Sequence, residues 1–201
     1  MTTTTPPALS PPLAEYRREL RDLLAEYSVK YGTFTLTSGA TSDLYIDCRV
    51  VATMPRAMRA IGALMLHELR DLPDVRGVGG LAIGADPIAA AVAFSSLDPT
   101  LGLGREIPMF MVRKEPKGHG TGKQVEGAFP PEEGAPVVVV DDALTTGGSI
   151  LQAIQAVERE TKAKVVRAVL IVDRLEGGAQ RLEGMGYEVR SIFTREDFPK
   201  G

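Results

Sequence analysis

Residues Val137 to Ser149 read VVVVDDALTTGGS, and this stretch decides the fold. Four consecutive valines show no polar alternation, so they predict a strand buried on both faces, as in the middle of a parallel sheet. Gly147, Gly148 and Ser149 then break the strand, and Ile150, Ile154 and Val157 recur at helical spacing behind them. Strand, glycine-rich turn and helix in succession make a phosphate-binding unit. The helix start supplies unpaired N–H groups and partial positive charge. Gly147 and Gly148 let a ligand approach the backbone, and Thr145, Thr146 and Ser149 add hydroxyl donors. Asp141 and Asp142 would repel a bare phosphate. They fit a ligand whose sugar hydroxyls donate to them, or one they meet through a metal ion. The site is therefore expected to take a sugar phosphate such as ribose 5-phosphate, at the carboxyl end of a central strand.

On either side of this unit, strands and helices alternate. Strands are predicted at Val78–Ile83, Ile107–Val112, Val165–Val172 and Tyr187–Ile192. A buried helix is predicted over Pro87–Phe94 and a short one near Leu182. The pattern predicts an α/β fold, a mostly parallel central sheet flanked by helices. Upstream, Leu13, Tyr16, Leu20, Leu23, Leu24 and Tyr27 share one helical face, as do Met58, Ile61, Met65 and Leu69. Phe34–Leu36 and Leu44–Ile46, either side of Ser38-Gly39, predict short strands or a hairpin. Residues 1–12, MTTTTPPALSPP, read as a flexible tail. Residues 13–201 read as a single domain, with 13–50 forming a small N-terminal hood.

The chain has 201 residues, 44% hydrophobic and 24% charged, with a net charge of −3. That balance gives no global attraction to nucleic acid. No apolar run is long enough for a membrane span, and the N-terminus lacks the basic start and apolar centre of a signal peptide. A cytoplasmic location is the expectation. The single Cys48 excludes an internal disulfide and reads as a small buried hydrophobe. His67, on a predicted helix, reads as a surface residue.

Between two predicted strands lies RKEPKGHGTGK, Arg113 to Lys123, with five groups able to carry positive charge against one acid. Glycines at 118, 120 and 122 argue against regular structure. A cationic loop beside a phosphate site reads as a lid that closes over a polyanion and offsets charge on a leaving pyrophosphate. His119 can donate to phosphate oxygens or move a proton. The loop is neither a Walker A motif nor a dinucleotide fingerprint: Lys117 and Lys123 stand where each would need glycine.

With these residues assembled, a family resemblance emerges. VVVVDDALTTGGS resembles the phosphoribosyl-diphosphate motif of type I phosphoribosyltransferases. Lys114-x-x-Lys117-x-His119-Gly120 resembles the catalytic loop of the orotate branch. Val29-Lys30-Tyr31-Gly32-x-Phe34-x-Leu36-x-Ser38-Gly39, with Ser42 and Tyr45, is similar to that branch's base-binding segment, and Asp173-Arg174 to its pair near the orotate ring. Gly80-Leu81-Ala82-Ile83-Gly84-Ala85-Asp86-Pro87-Ile88-Ala89 resembles the pyrophosphate loop, although some members carry a lysine where this chain has Gly84.

The resemblance implies transfer of ribose 5-phosphate from phosphoribosyl diphosphate to orotate, with Mg²⁺ bound mainly through phosphoribosyl diphosphate. It implies catalytic roles for Lys114, Lys117, His119 and Asp142. It implies substrate binding by Lys30, Arg113, Asp141, Ala143, Leu144, Thr145, Thr146, Gly147, Gly148, Ser149 and Arg174, with Lys30 and Arg174 facing the anionic base. It also implies a two-fold homodimer in which the lid reaches the partner's site, and no resident protein-held metal. Two alternatives stay open: a purine or uracil as the base, and a non-catalytic sensor of phosphoribosyl diphosphate. Against the sensor, the lid keeps both lysines and the histidine. Without the resemblance, Arg174 could equally form a surface pair with Asp173.

Overall fold

The computed structural model describes residues 9–35, 41–101, 104–116, 122–130 and 132–199. Helix α1 (Pro11–Tyr27) opens with prolines in its first turn, where a missing N–H has no cost, so regular structure begins inside the stretch expected to be tail. Leu13, Leu20 and Leu24 are buried, with Tyr16 and Leu23 packed at the margin. Tyr27 departs from the expected stripe and is half-exposed, because the helix stops there and Ser28 turns into the next strand. Strands β1 (Val29–Thr35) and β2 (Thr41–Ile46) pair antiparallel as the predicted hairpin. Phe34 and Tyr45 pack on it with ring centroids 5.5 Å apart. Ser38 and Gly39, at its tip, lie outside the described residues.

A short helix that sequence periodicity does not register, α2 (Cys48–Ala52), follows directly. Asp47 caps it by accepting the Arg49 N–H at 3.2 Å, and Cys48 is fully buried beneath, as expected. Helix α3 (Pro55–Glu68) is apolar over most of its circumference, and His67 near its end is 4% exposed rather than on the surface. A helix covered by α1 on one side and the sheet on another leaves little solvent face for it.

The remaining elements are β3 (Val78–Leu81), α4 (Asp86–Ser95), β4 (Met109–Val112), β5 (Val125–Gly127), β6 (Pro136–Leu144), α5 (Gly148–Glu160), β7 (Lys164–Asp173), α6 (Gly178–Gly184) and β8 (Glu188–Thr194). The six strands β3–β8 form one sheet in the order β5-β4-β3-β6-β7-β8, parallel except for β5. Strand β5 has no counterpart among the predicted strands, since three residues are too few to show a period. Helix α4 is less buried than expected: Phe94 is 80% exposed, whereas Ile88, Ala89 and Val92 face inward. Val138 and Val140 project into a core shared with α1 to α4, and Val137 and Val139 into one shared with α5 and α6. The valine run is thus covered on both faces, as its composition requires. Gly80 permits the tight β3–β6 contact, because a Cβ there would overlap the Val140 carbonyl.

At the amino ends of β7 and β8, Arg167 is 1% exposed. It binds Asp71 at 2.8 and 3.0 Å, Glu188 at 2.6 and 2.8 Å, and the Glu68 carbonyl, while Arg190 adds a second grip on Asp71 at 2.6 Å. This network stands at the opposite end of the strands from the cleft described next. From β3 the chain steps outward to β4, then returns on the other side of β3 as β6. The crevice between the carboxyl ends of β3 and β6 is therefore the switch point at which open α/β sheets bind ligands. No helix among the described residues is long and apolar enough to cross a membrane.

Candidate active site

Strand β6 does not stop at its valines but runs through Asp141, Asp142 and Ala143 to Leu144, so both acids belong to the strand. Asp141 Oδ1 accepts the Asp142 N–H at 3.0 Å, and Asp142 Oδ1 accepts the Ala143 N–H at 2.8 Å. Burial raises both carboxyls above the usual range, and for Asp141 the adjacent Asp142 charge adds to the effect. Side by side in little water, the acids are poised to accept hydroxyl donors or meet a cation. Among the described residues, no group of three or more His, Cys, Asp or Glu is set to hold a metal.

The turn after β6 is left-handed at Gly147, φ 80°, where a Cβ would also meet Leu182 Cγ and the Gly178 carbonyl at 3.4 Å. Helix α5 begins at Gly148, which has open space where a side chain would stand. Thr145 and Ser149 line a cleft of about 570 Å³, and Gln152, one turn further along α5, joins them. Leu144 is buried in the core, leaving only its main chain for a ligand, and the exposed Thr146 accepts Arg181 Nη1 at its carbonyl over 3.1 Å.

The other walls come from three elements. The end of β3 and its following turn give Leu81, Ala82, Ile83 and Gly84. A Cβ on Gly84 would lie 3.3 Å from Asp141 Oδ1 and 3.5 Å from Asp142 Oδ1, so this wall approaches the acids closely. The hairpin and α2 give Tyr45, Ile46, Asp47 and Arg49; the end of β7 gives Arg174. Asp47, Arg49 and Gln152 were not singled out from sequence. Their available signals were local: an N-capping Asp two residues before Arg, and a Gln one turn beyond Ser149.

Arg174 is 5% exposed and donates from Nη2 to the Leu44 carbonyl at 3.0 Å, with Glu176 as its ion-pair partner at 2.8 Å. The surface pair with Asp173 is not what forms; Asp173 instead accepts the Leu175 N–H at 2.8 Å. Lys30 is exposed and is not among the cleft-lining residues, although its ladder partner is Tyr45, which is. Arg113 is turned to Glu126 of β5, 2.6 Å away, while Lys114 lines the cleft. Lys117 and His119 lie outside the described residues. Both described flanks of the segment expected to form a lid, at Lys114 and at Gln124 and Val125, are fastened to α5. The Lys114 carbonyl accepts Gln152 Nε2 at 2.7 Å, and Glu160 accepts the Gln124 and Val125 N–H groups at 2.7 and 3.1 Å.

A glycine turn at a helix start, a buried acid pair and cationic side chains at one switch point are suited to a phosphorylated sugar. The chain belongs to the phosphoribosyl transferase domain family, whose model matches residues 73–192. It is 41% identical over 191 residues to an orotate phosphoribosyltransferase of Rhodopirellula baltica, covering 90% of this chain and 94% of that protein. Among solved structures it is similar to Mycobacterium tuberculosis orotate phosphoribosyltransferase in complex with Fe(III) dicitrate (TM-score 0.77, 38% identity, 92% and 99% of the two chains). The same enzyme in complex with 5-phospho-α-D-ribosyl 1-diphosphate aligns with a TM-score of 0.72 and 36% identity over 91% and 98% of the chains.

Proposed function

We propose that this protein is an enzyme that transfers the ribose 5-phosphate group of phosphoribosyl diphosphate to orotate, giving orotidine 5'-monophosphate and pyrophosphate in pyrimidine biosynthesis. The observation that carries the reading is one cleft lined by Asp141, Asp142, Thr145, Ser149, Lys114 and Arg174 at the β3–β6 switch point. Its relatives of about 40% identity bear that activity in their names.

In this reading the main chain and hydroxyls of Ala143 to Ser149 anchor the 5-phosphate. Asp141 and Asp142 accept the ribose hydroxyls, and their buried charge favours the developing oxocarbenium character. The bond from ribose C1 to the diphosphate oxygen breaks with its electron pair leaving on pyrophosphate, while an orotate ring nitrogen bonds to C1 and gives up its proton, which the departing pyrophosphate takes up. Lys114, Lys117 and His119 close over the leaving group, with Arg113 at the base of the lid. Arg174 and Lys30 serve the carboxylate-bearing base, for which a cation is needed. A bound Mg²⁺, carried mainly by phosphoribosyl diphosphate, would offset charge on the diphosphate, and the acid pair suits contact with it directly or through water.

The reading extends to assembly and place. Residues 13–201 act as one domain with 13–50 as the hood; the packing of Leu44, Ile46 and Val172 in one core supports this. A two-fold homodimer shares the lid across subunits; the exposed Phe94 and Leu97 offer apolar surface for a subunit contact. The enzyme works in the cytoplasm on small molecules, without nucleic acid or membrane.

The deciding experiment follows orotate absorbance on adding phosphoribosyl diphosphate and Mg²⁺. Orotate is expected to be consumed, and far faster than hypoxanthine, adenine or uracil; preference for one of those bases would refute the assignment. Lys117→Ala is expected to bind substrate with greatly reduced turnover. Unchanged turnover would remove the lid from catalysis.

A further inference from the structure

The cleft contains one cation with no part in the mechanism above. Arg49 stands in the first turn of α2 and lines the cleft together with Gly84, Asp141 and Asp142. Its guanidinium is gripped by Asp47 through two bonds of 2.8 Å, Nε to Oδ1 and Nη2 to Oδ2. That fork engages one edge of the guanidinium only. Nη1 keeps both of its N–H groups, and Asp47 is its sole partner among the described residues. Asp142 is close enough for its charge to act on Arg49.

An exposed Asp–Arg pair is ordinarily worth little to stability, and Arg49 is 59% exposed. Asp47 would cap α2 without the guanidinium, since it accepts the Arg49 main-chain N–H through Oδ1. Fixing a long, exposed side chain has an entropic cost that brings a return when the charge must be preset for a ligand.

Charge bookkeeping within the cleft then narrows the ligand group. Its lining acids are Asp47, Asp141 and Asp142, and its lining cations are Arg49, Lys114 and Arg174. The turn at Thr145 to Ser149 supplies its own donors to the 5-phosphate. Arg174 is buried against the Leu44 carbonyl and Glu176. The wall from Leu81 to Gly84 contributes no cationic side chain at all. A diphosphate resting there needs a fixed positive group, and a guanidinium suits paired phosphate oxygens better than a mobile ammonium.

We propose that Arg49 binds the diphosphate group of the substrate, with Asp47 as the positioning residue that aims it. This rests on the phosphoribosyl-diphosphate reading of the cleft but not on orotate as the base. The test is calorimetric titration with inorganic pyrophosphate and Mg²⁺, and separately with ribose 5-phosphate, with no base present. Arg49→Ala is expected to lose about tenfold or more in pyrophosphate affinity while ribose 5-phosphate binding stays within about twofold. Guanidinium ion in solution is expected to restore part of the loss, and Asp47→Asn to give an intermediate one. Retained ribose 5-phosphate binding reports a folded cleft; if it is lost, Arg49→Gln takes the same test. Unchanged pyrophosphate affinity in the variant overturns the proposal. A wild-type protein that binds both phosphates yet ignores orotate would sink only the choice of base.

Discussion

Arg174 Nη2 reaches the main-chain carbonyl of Leu44 across 3.0 Å, tying the end of β7 to strand β2 of the hairpin. One guanidinium therefore both lines the cleft and holds the β1–β2 hairpin against the sheet. Arg174→Ala is expected to raise the KM for orotate about tenfold to a hundredfold, as for loss of a hydrogen bond to a charged group. The KM for phosphoribosyl diphosphate should change much less. Steady-state kinetics with each substrate varied in turn checks this, and equal effects on both would assign Arg174 to general cleft integrity instead.

Gly147 has a left-handed backbone, and a Cβ there would make only ordinary contact with Leu182 and Gly178. Gly147→Ala should destabilise the chain by about 1–2 kcal/mol from the αL penalty. It should also weaken ribose 5-phosphate binding by displacing the turn. Gly148→Ala, into open space, should cost less stability. Thermal melts of the two variants side by side make the comparison.

The acid pair sets a pH dependence whose sign is defined. A carboxyl raised by folding contributes stability present in full below its unfolded value, about 3.9, and lost as pH rises through the folded value. Asp141 and Asp142 are both raised, by burial first. The ligand-free melting temperature is expected to decline from mildly acidic toward mildly alkaline pH. Asp141→Asn should flatten that decline and melt higher at alkaline pH, while losing activity. Parallel melting profiles for wild type and variant would contradict the account.

Asp71 behaves in the opposite sense. Hydrogen bonds from Arg167 hold its carboxyl well below the usual range, so its contribution is present above the unfolded value and lost as pH falls through the folded one. Arg167→Met should lower the melting temperature by several degrees near neutrality and reduce the additional loss below about pH 4. Turnover of the folded fraction should be unchanged, because the network lies at the far end of the strands. Differential scanning calorimetry paired with activity at low temperature separates the two effects.

The valine run, the switch to helical spacing and the Asp-Asp pair were legible in sequence because each rests on local periodicity or chemistry. Strand β5 and helix α2 were not, since three and five residues carry no period. His67 was misread because α3 is enclosed from several sides, which only packing reveals. Arg174 was recognised as a candidate, but its true companions, Leu44 and Glu176, depend on the hairpin's return to the sheet. Arg49 carries no local signal of its own: Gly84 and Asp142, which line the cleft with it, are remote in sequence.

The two fastenings of the lid flanks, Lys114 to Gln152 and Gln124 to Glu160, both fall on α5, whose first residue follows the phosphate turn. The described ends of that segment, with β4, β5, β6 and α5, are thus tied into a single block. A chimera that imports a foreign lid without its own α5 leaves these tethers mismatched, whereas exchange of the whole block from β4 through α5 carries them intact. The practical unit for exchanging this part of the chain is that block, with junctions before Met109 and after Glu160.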